Sequence, residues 1–92
     1  MTKLSSTAIR RRLAGLADWN QIGNTIQKQY GFSNFKEAMF FVNTVAGLAE
    51  KQGHHPDISI RYNRVTLSLS THDAGGLTRK DFDLAARIES MR

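Results

Sequence analysis

The sequence predicts an α+β domain, a four-stranded antiparallel sheet with its helices packed on one face. Three observations predict it. Apolar residues recur at helical spacing in three separate stretches, four short segments between them alternate apolar and polar residues, and those segments come as hairpins rather than singly between helices. The expected order is α-β-β-α-β-β-α, in a single domain over residues 1–92. A chain of 92 residues has one core and buries a modest share of its surface, so self-association is a direct way to enlarge that core.

Ser5 or Ser6 caps a first helix expected to run to about Leu16, with Ile9, Leu13 and Leu16 at helical spacing and the arginines in solvent. From Trp19 the period changes. Trp19 to Ile22, a Gly23-Asn24 turn, and then Ile26, Lys28, Tyr30 and Phe32 at every second position read as a hairpin. A second helix starts near Asn34 and runs to about Gln52, its apolar stripe traced by Phe35, Ala38, Met39, Val42, Val45, Ala46 and Ala49, with Gly53 as a left-handed cap. Beyond Pro56, Ile58, Ile60 and Tyr62 share a face, a tight turn falls near Asn63-Arg64, and Val65, Leu67 and Leu69 form the return strand. A loop with Gly75-Gly76 leads to the last helix, where Thr78 and Asp81 occupy N-cap and N3 ahead of Phe82, Leu84, Ala85 and Ile88.

The net charge of +5 is concentrated at one end: Lys3, Arg10, Arg11 and Arg12 carry +4, which leaves +1 for the rest of the chain. A basic cluster on an amphipathic helix without interleaved aromatics reads as a solvated face, so neither nucleic acid nor membrane is an expected partner. The absence of cysteine excludes thiol chemistry and a disulfide framework and fits a reducing cytoplasm, the expected location. No stretch has the uninterrupted apolar length of a membrane span, and the first residues lack the apolar centre of a signal peptide.

All three histidines fall between Glu50 and Asp81, in the pattern E-x3-H-H-P-x5-Y-x9-H-x8-D formed by Glu50, His54, His55, Pro56, Tyr62, His72 and Asp81. Side chains that titrate near neutrality suit acid/base work. In an extended stretch His54 and His55 point to opposite sides, which predicts two separate roles rather than a shared ion. Pro56 removes an amide donor and holds His55 extended. With the turn at Asn63-Arg64, antiparallel pairing sets His72 across from His55. Glu50 lies in the last turn of a helix, where the dipole disfavours a carboxylate, so an imidazole partner is one compensation. Asp81 is explained equally by the cap and by a site role. Tyr62 and Trp19 read as packed aromatics, and Met39, Phe40 and Phe41 as core or oligomer surface. No metal is expected, since no H-x3-H or H-E-x-x-H spacing stands on a helix.

That spacing, with the strings KQGHHPDISIRYNRV and LSTHDAGGLTRKDFDLAARIE, resembles the pterin-4a-carbinolamine dehydratases over nearly the whole chain. The resemblance implies dehydration of 4a-hydroxytetrahydropterin to quinonoid dihydropterin, recycling the pterin of aromatic amino-acid hydroxylases without metal or organic cofactor. It implies His54, His55 and His72 as the acid/base and substrate-binding imidazoles, with His54 and His72 moving protons and His55 orienting. Pro56 would shape the pocket, and Glu50 and Asp81 would either orient histidines or hold pterin nitrogens. Lys80 stands where some members have arginine, keeping the charge without the planar fork. Family subunits associate through edge strands and long second helices, which implies a homodimer or homotetramer here, with Phe40, Phe41, Asn43, Thr44 and Leu48 widening the helix surface. The rival readings are a noncatalytic pterin-binding or regulatory dimerisation module on the same fold, and a nucleic-acid binder using Arg10 to Arg12.

Overall fold

Ser5 starts the first element: its hydroxyl accepts the Ala8 amide at 3.2 Å and caps α1, Ser6–Leu13. The computed structural model describes residues 2–91. Helix α1 ends three residues earlier than expected, because Gly15 and Leu16 bond the carbonyls of Arg12 and Leu13 at 3.2 and 2.9 Å, tightening the chain into a 3₁₀-type turn. Leu16 still packs against the core. Strands β1 (Asn20–Ile22) and β2 (Thr25–Gly31) form the first hairpin about Gly23-Asn24, and α2 (Phe35–Gln52) follows from an Asn34 cap on the Glu37 amide. Strands β3 (Asp57–Arg61) and β4 (Arg64–Leu69) form the second hairpin, and α3 (Arg79–Ser90) closes the chain.

The sheet is antiparallel throughout in the order β1-β2-β4-β3, as the α-β-β-α-β-β-α expectation requires. Cross-strand partners Ile26 and Leu69, and Tyr30 and Val65, lie on one face with Leu67, all buried beneath the helices. The other face carries Gln27, Gln29, Ser59, Thr66 and Ser68. The helix α2 stripe is rotated from the expected one: Ala38, Phe41, Val45 and Ala49 are buried, whereas Phe35 and Ala46 are exposed. Phe41 decides the rotation, because its ring packs 4.6 Å from Tyr30 and 5.1 Å from Phe32, and burying such a ring is worth about 1.5–3 kcal/mol.

The second hairpin turns at Tyr62-Asn63, not at Asn63-Arg64, so its register differs from the expected one. Arg61 opposes Arg64 and Asp57 opposes Ser68; continued outward, this pairing leads His55 toward Ser70, not His72. Asn63 sets the turn by two hydrogen bonds to Phe32: its carbonyl accepts the Phe32 amide and its side-chain amide donates to the Phe32 carbonyl, both at 2.9 Å. Tyr62 takes a left-handed φ of 52° and is exposed in the turn, and so is not the packed strand aromatic expected.

A second polar anchor was not foreseen. Glu89 near the end of α3 accepts Trp19 Nε1 at 3.3 Å, Lys28 Nζ at 2.9 Å and Tyr30 Oη at 2.5 Å. Partial burial pushes its carboxyl up, but the hydrogen bonds from Tyr30, Lys28 and Trp19 and the charge of Lys28 outweigh it and hold Glu89 below the usual carboxylate range. Among the described residues no helix is long and apolar enough to cross a membrane.

Candidate active site

The geometry of the site begins at the end of α2. Gly53 is left-handed at φ 63°, its amide bonds the Glu50 carbonyl at 3.2 Å, and the His54 amide bonds the Ala49 carbonyl at 3.1 Å. This is a Schellman closure, which a residue without Cβ forms at least cost. It fixes the backbone of His54 against the helix, and Pro56 then delivers the chain into β3.

His54 points inward. Its Nε2 lies 2.6 Å from Asp81 Oδ1, with 11% of the imidazole and none of the carboxylate exposed. The other oxygen of Asp81, Oδ2, accepts the Thr78 amide and the Thr71 hydroxyl, each at 2.9 Å, and the Thr71 and Thr78 hydroxyls are 2.7 Å apart. Asp81 therefore completes the cap with one oxygen and meets His54 with the other. Among the described residues no buried side-chain polar atom lacks a partner, as a buried network of this kind requires.

His55 points the other way, toward Glu50 Oε2 at 2.5 Å, with 64% and 77% of the two side chains exposed. The imidazole partner expected for Glu50 is thus His55, and the two adjacent histidines do engage separate groups. Exposed pairs of this kind are worth about 0–1 kcal/mol, so the contact orients more than it stabilises.

His72 begins a 3₁₀ turn, His72–Ala74, and is exposed. The turn is closed by a bridge in which Thr71 N donates to Gly76 O at 3.0 Å and Gly76 N to Thr71 O at 3.4 Å. Residue Thr71 also bonds Asp81, so the His72 Cα is one peptide, about 3.8 Å, from the Cα of the residue that holds the partner of His54. His72 thus comes to the corner through Thr71 and not through strand pairing opposite His55. Lys80 is exposed in the first turn of α3, its amide donating to Thr78 Oγ1 at 3.3 Å. Tyr62 leaves the corner: it follows the far end of β3, a five-residue strand about 17 Å long. Among the described residues no group of three His, Asp or Glu side chains is arranged to hold a metal.

Thr71 and Thr78 were missed as site residues. The only trace in sequence is a threonine directly before His72, with a capping threonine seven positions later, on a chain expected to turn there.

The fold is thus a small α+β domain with a buried imidazole–carboxylate pair at the end of α2 and the start of α3 and a second, exposed imidazole–carboxylate pair beside it. The sequence profile described as pterin 4 alpha carbinolamine dehydratase matches residues 2–91, and the chain belongs to that family. Proteins provisionally named pterin-4-alpha-carbinolamine dehydratases are similar over almost their full length. That of Acidobacterium capsulatum is 56% identical over 91 residues, covering 99% of both chains, and that of a Roseiflexus species (strain RS-1) is 54% identical over 90, covering 98% of this chain and 97% of its own. The crystal structure titled transcriptional coactivator/pterin dehydratase from Brucella melitensis superposes with a TM-score of 0.93 at 29% identity, covering 98% of each chain. A pterin dehydratase-like protein described as a RuBisCO assembly factor in the alpha-carboxysome shares the fold, with a TM-score of 0.68 at 23% identity over 80% of this chain and 88% of its own.

Proposed function

We propose that this protein dehydrates 4a-hydroxytetrahydropterins to quinonoid dihydropterins, recycling the pterin used by aromatic amino-acid hydroxylases. The observation that carries the reading is the buried His54–Asp81 pair in a member of the pterin 4 alpha carbinolamine dehydratase family. Loss of water requires a proton delivered to the departing 4a-hydroxyl and one removed from the adjacent ring nitrogen, and imidazoles serve both steps near neutral pH. His54, held by Asp81, and His72, exposed on the neighbouring turn, are the two proton carriers. His55, braced by Glu50, binds and orients the pterin; Pro56 shapes the entrance; Lys80 supplies a point charge at the rim. Asp81 acts through His54 rather than on the substrate, because Oδ1 faces the imidazole and Oδ2 the cap. Two or four copies associate through α2, whose Phe40 is 76% exposed beside a cleft of about 400 Å³ lined by Phe32, Phe41, Thr44 and Met91.

The test is the dehydration rate of purified protein with a chelator present, beside His54→Ala and His72→Ala. Acceleration by the wild type and its loss in both variants supports the reading. A wild type no faster than the uncatalysed reaction, with pterin still bound, points to the noncatalytic binding module instead.

A further inference from the structure

We infer that Thr71 is a positioning residue, whose hydroxyl locks the buried Asp81 carboxylate so that His54 carries its proton on Nε2 and works through Nδ1. The part concerning proton transfer rests on the dehydratase reading; the tautomer does not.

The direction of every hydrogen bond in the network follows from one fixed donor. The Thr78 amide can only donate, and it donates to Asp81 Oδ2 at 2.9 Å. The Thr71 hydroxyl, 2.9 Å from the same oxygen, donates as well, since a carboxylate only accepts. With its proton committed, Thr71 Oγ1 must accept from Thr78 Oγ1 across 2.7 Å, and Thr78 Oγ1 in turn accepts the Lys80 amide at 3.3 Å. Oδ2 is then saturated by two donors and held in plane. Among the described residues Oδ1 has one partner, His54 Nε2 at 2.6 Å, which must donate to it. A neutral imidazole has one N–H, so Nδ1 is the lone-pair nitrogen. That is the atom left to exchange a proton with substrate.

Thr71 is buried, it is closed into the loop by the bridge to Gly76, and it is bonded directly to His72. One residue therefore sets the acceptor for the first imidazole and the backbone of the second. Without its hydroxyl, Oδ2 loses a donor and the buried Thr78 hydroxyl loses its acceptor. The Thr78 amide then holds Oδ2 alone and the carboxylate can turn about χ2, a broad two-fold torsion, away from Nε2; the hydrogen bond that favours Nε2–H weakens, and the Nδ1–H form of His54 becomes populated.

The experiment compares wild type, Thr71→Val and Thr71→Ser by long-range ¹H–¹⁵N spectroscopy of the His54 ring and by dehydration kinetics. The expected result is a single Nε2–H tautomer in wild type and Thr71→Ser, and a mixture in Thr71→Val. Kinetically, kcat should fall about 10–100-fold in Thr71→Val, the scale of a misplaced reacting group, with little change in KM and recovery in Thr71→Ser. An Nδ1–H tautomer in the wild type overturns the inference without any variant, so a Thr71→Val protein that fails to fold does not shield it. Equal loss in Thr71→Ser and Thr71→Val also overturns it, since packing rather than the hydroxyl would then be at work. A wild type with the Nε2–H tautomer and no turnover supports the lock and counts against the dehydratase reading alone.

Discussion

Replacing Asp81 by asparagine changes almost no volume and separates the two duties of this side chain. Asp81 accepts three donors: His54 Nε2 at 2.6 Å on Oδ1, and the Thr71 hydroxyl and Thr78 amide at 2.9 Å on Oδ2. Asparagine has one oxygen. The backbone amide of Thr78 cannot turn away, so that oxygen goes to the Oδ2 position and the NH₂ faces His54. The imidazole must then accept at Nε2 and move its proton to Nδ1, the wrong nitrogen for base catalysis. Three charge-assisted hydrogen bonds become neutral or reverse, each change worth about 0.5–1.5 kcal/mol, so the loss is about 2–4 kcal/mol. At about 4–8 °C per kcal/mol for a domain of this size, Tm should fall by about 8–32 °C. Positioned acid/base catalysis contributes about 10²–10⁴-fold, and kcat for 4a-hydroxytetrahydropterin should fall within that range. The assay is dehydration followed by absorbance at a temperature where circular dichroism shows the variant folded. A folded Asp81→Asn protein with kcat within about threefold of wild type, far below the effect of lost acid/base catalysis, would mean that Asp81 does not orient a catalytic imidazole.

Other outcomes follow from neighbouring parts of the structure. Glu89→Gln leaves Trp19, Lys28 and Tyr30 with a neutral partner and should cost about 1.5–3 kcal/mol in urea unfolding at neutral pH. Because the folded carboxyl of Glu89 lies below its ordinary value, its contribution is complete above the unfolded carboxylate range. It is lost as pH falls through the folded value, so wild type and Glu89→Gln should converge in stability on acidification; a gap that widens in acid contradicts the sign. Gly53→Ala adds a Cβ that meets nothing within 4 Å, so only the left-handed backbone at φ 63° resists it. The cost should be about 1–2 kcal/mol, read as a lower Tm, with kcat reduced because His54 follows directly. Phe40→Glu puts a charge on the exposed α2 surface; sedimentation velocity should show the oligomer reduced to smaller species, and an unchanged mass argues against association through this helix.

Local signals carried most of the fold. Gly23-Asn24, the Asn34 cap, Gly53 and the Thr78–Asp81 box each act within a few residues, and each marks its boundary in the structure. What escaped depends on distant partners. The turn at Tyr62-Asn63 is set by Phe32, thirty-one positions from Asn63, and the shift moved His72 away from His55. The α2 stripe turned because Phe41 had rings of β2 and its continuation to meet, which helical spacing alone does not reveal. In the candidate site, the separation of His54 from His55 and an imidazole partner for Glu50 were legible from alternation and the helix dipole, but not that His55 is that partner. The Thr71 and Thr78 hydroxyls were not, since a threonine at a strand end or a cap has an adequate local explanation. Glu89 was hidden for the same reason: its three donors come from residues 59 to 70 positions earlier.

Whether His54 and Asp81 act as one proton-handling unit in pterin dehydration is decided by a double-mutant cycle. The dehydration rates of wild type, His54→Ala, Asp81→Asn and the double variant are measured under one condition with all four proteins folded. Groups that act as a unit are strongly non-additive, so Asp81→Asn should slow the wild type by about two to four orders of magnitude and hardly slow His54→Ala further. Equal factors of loss in both backgrounds would contradict such a unit, showing that Asp81 serves the fold or the substrate independently of the imidazole it holds.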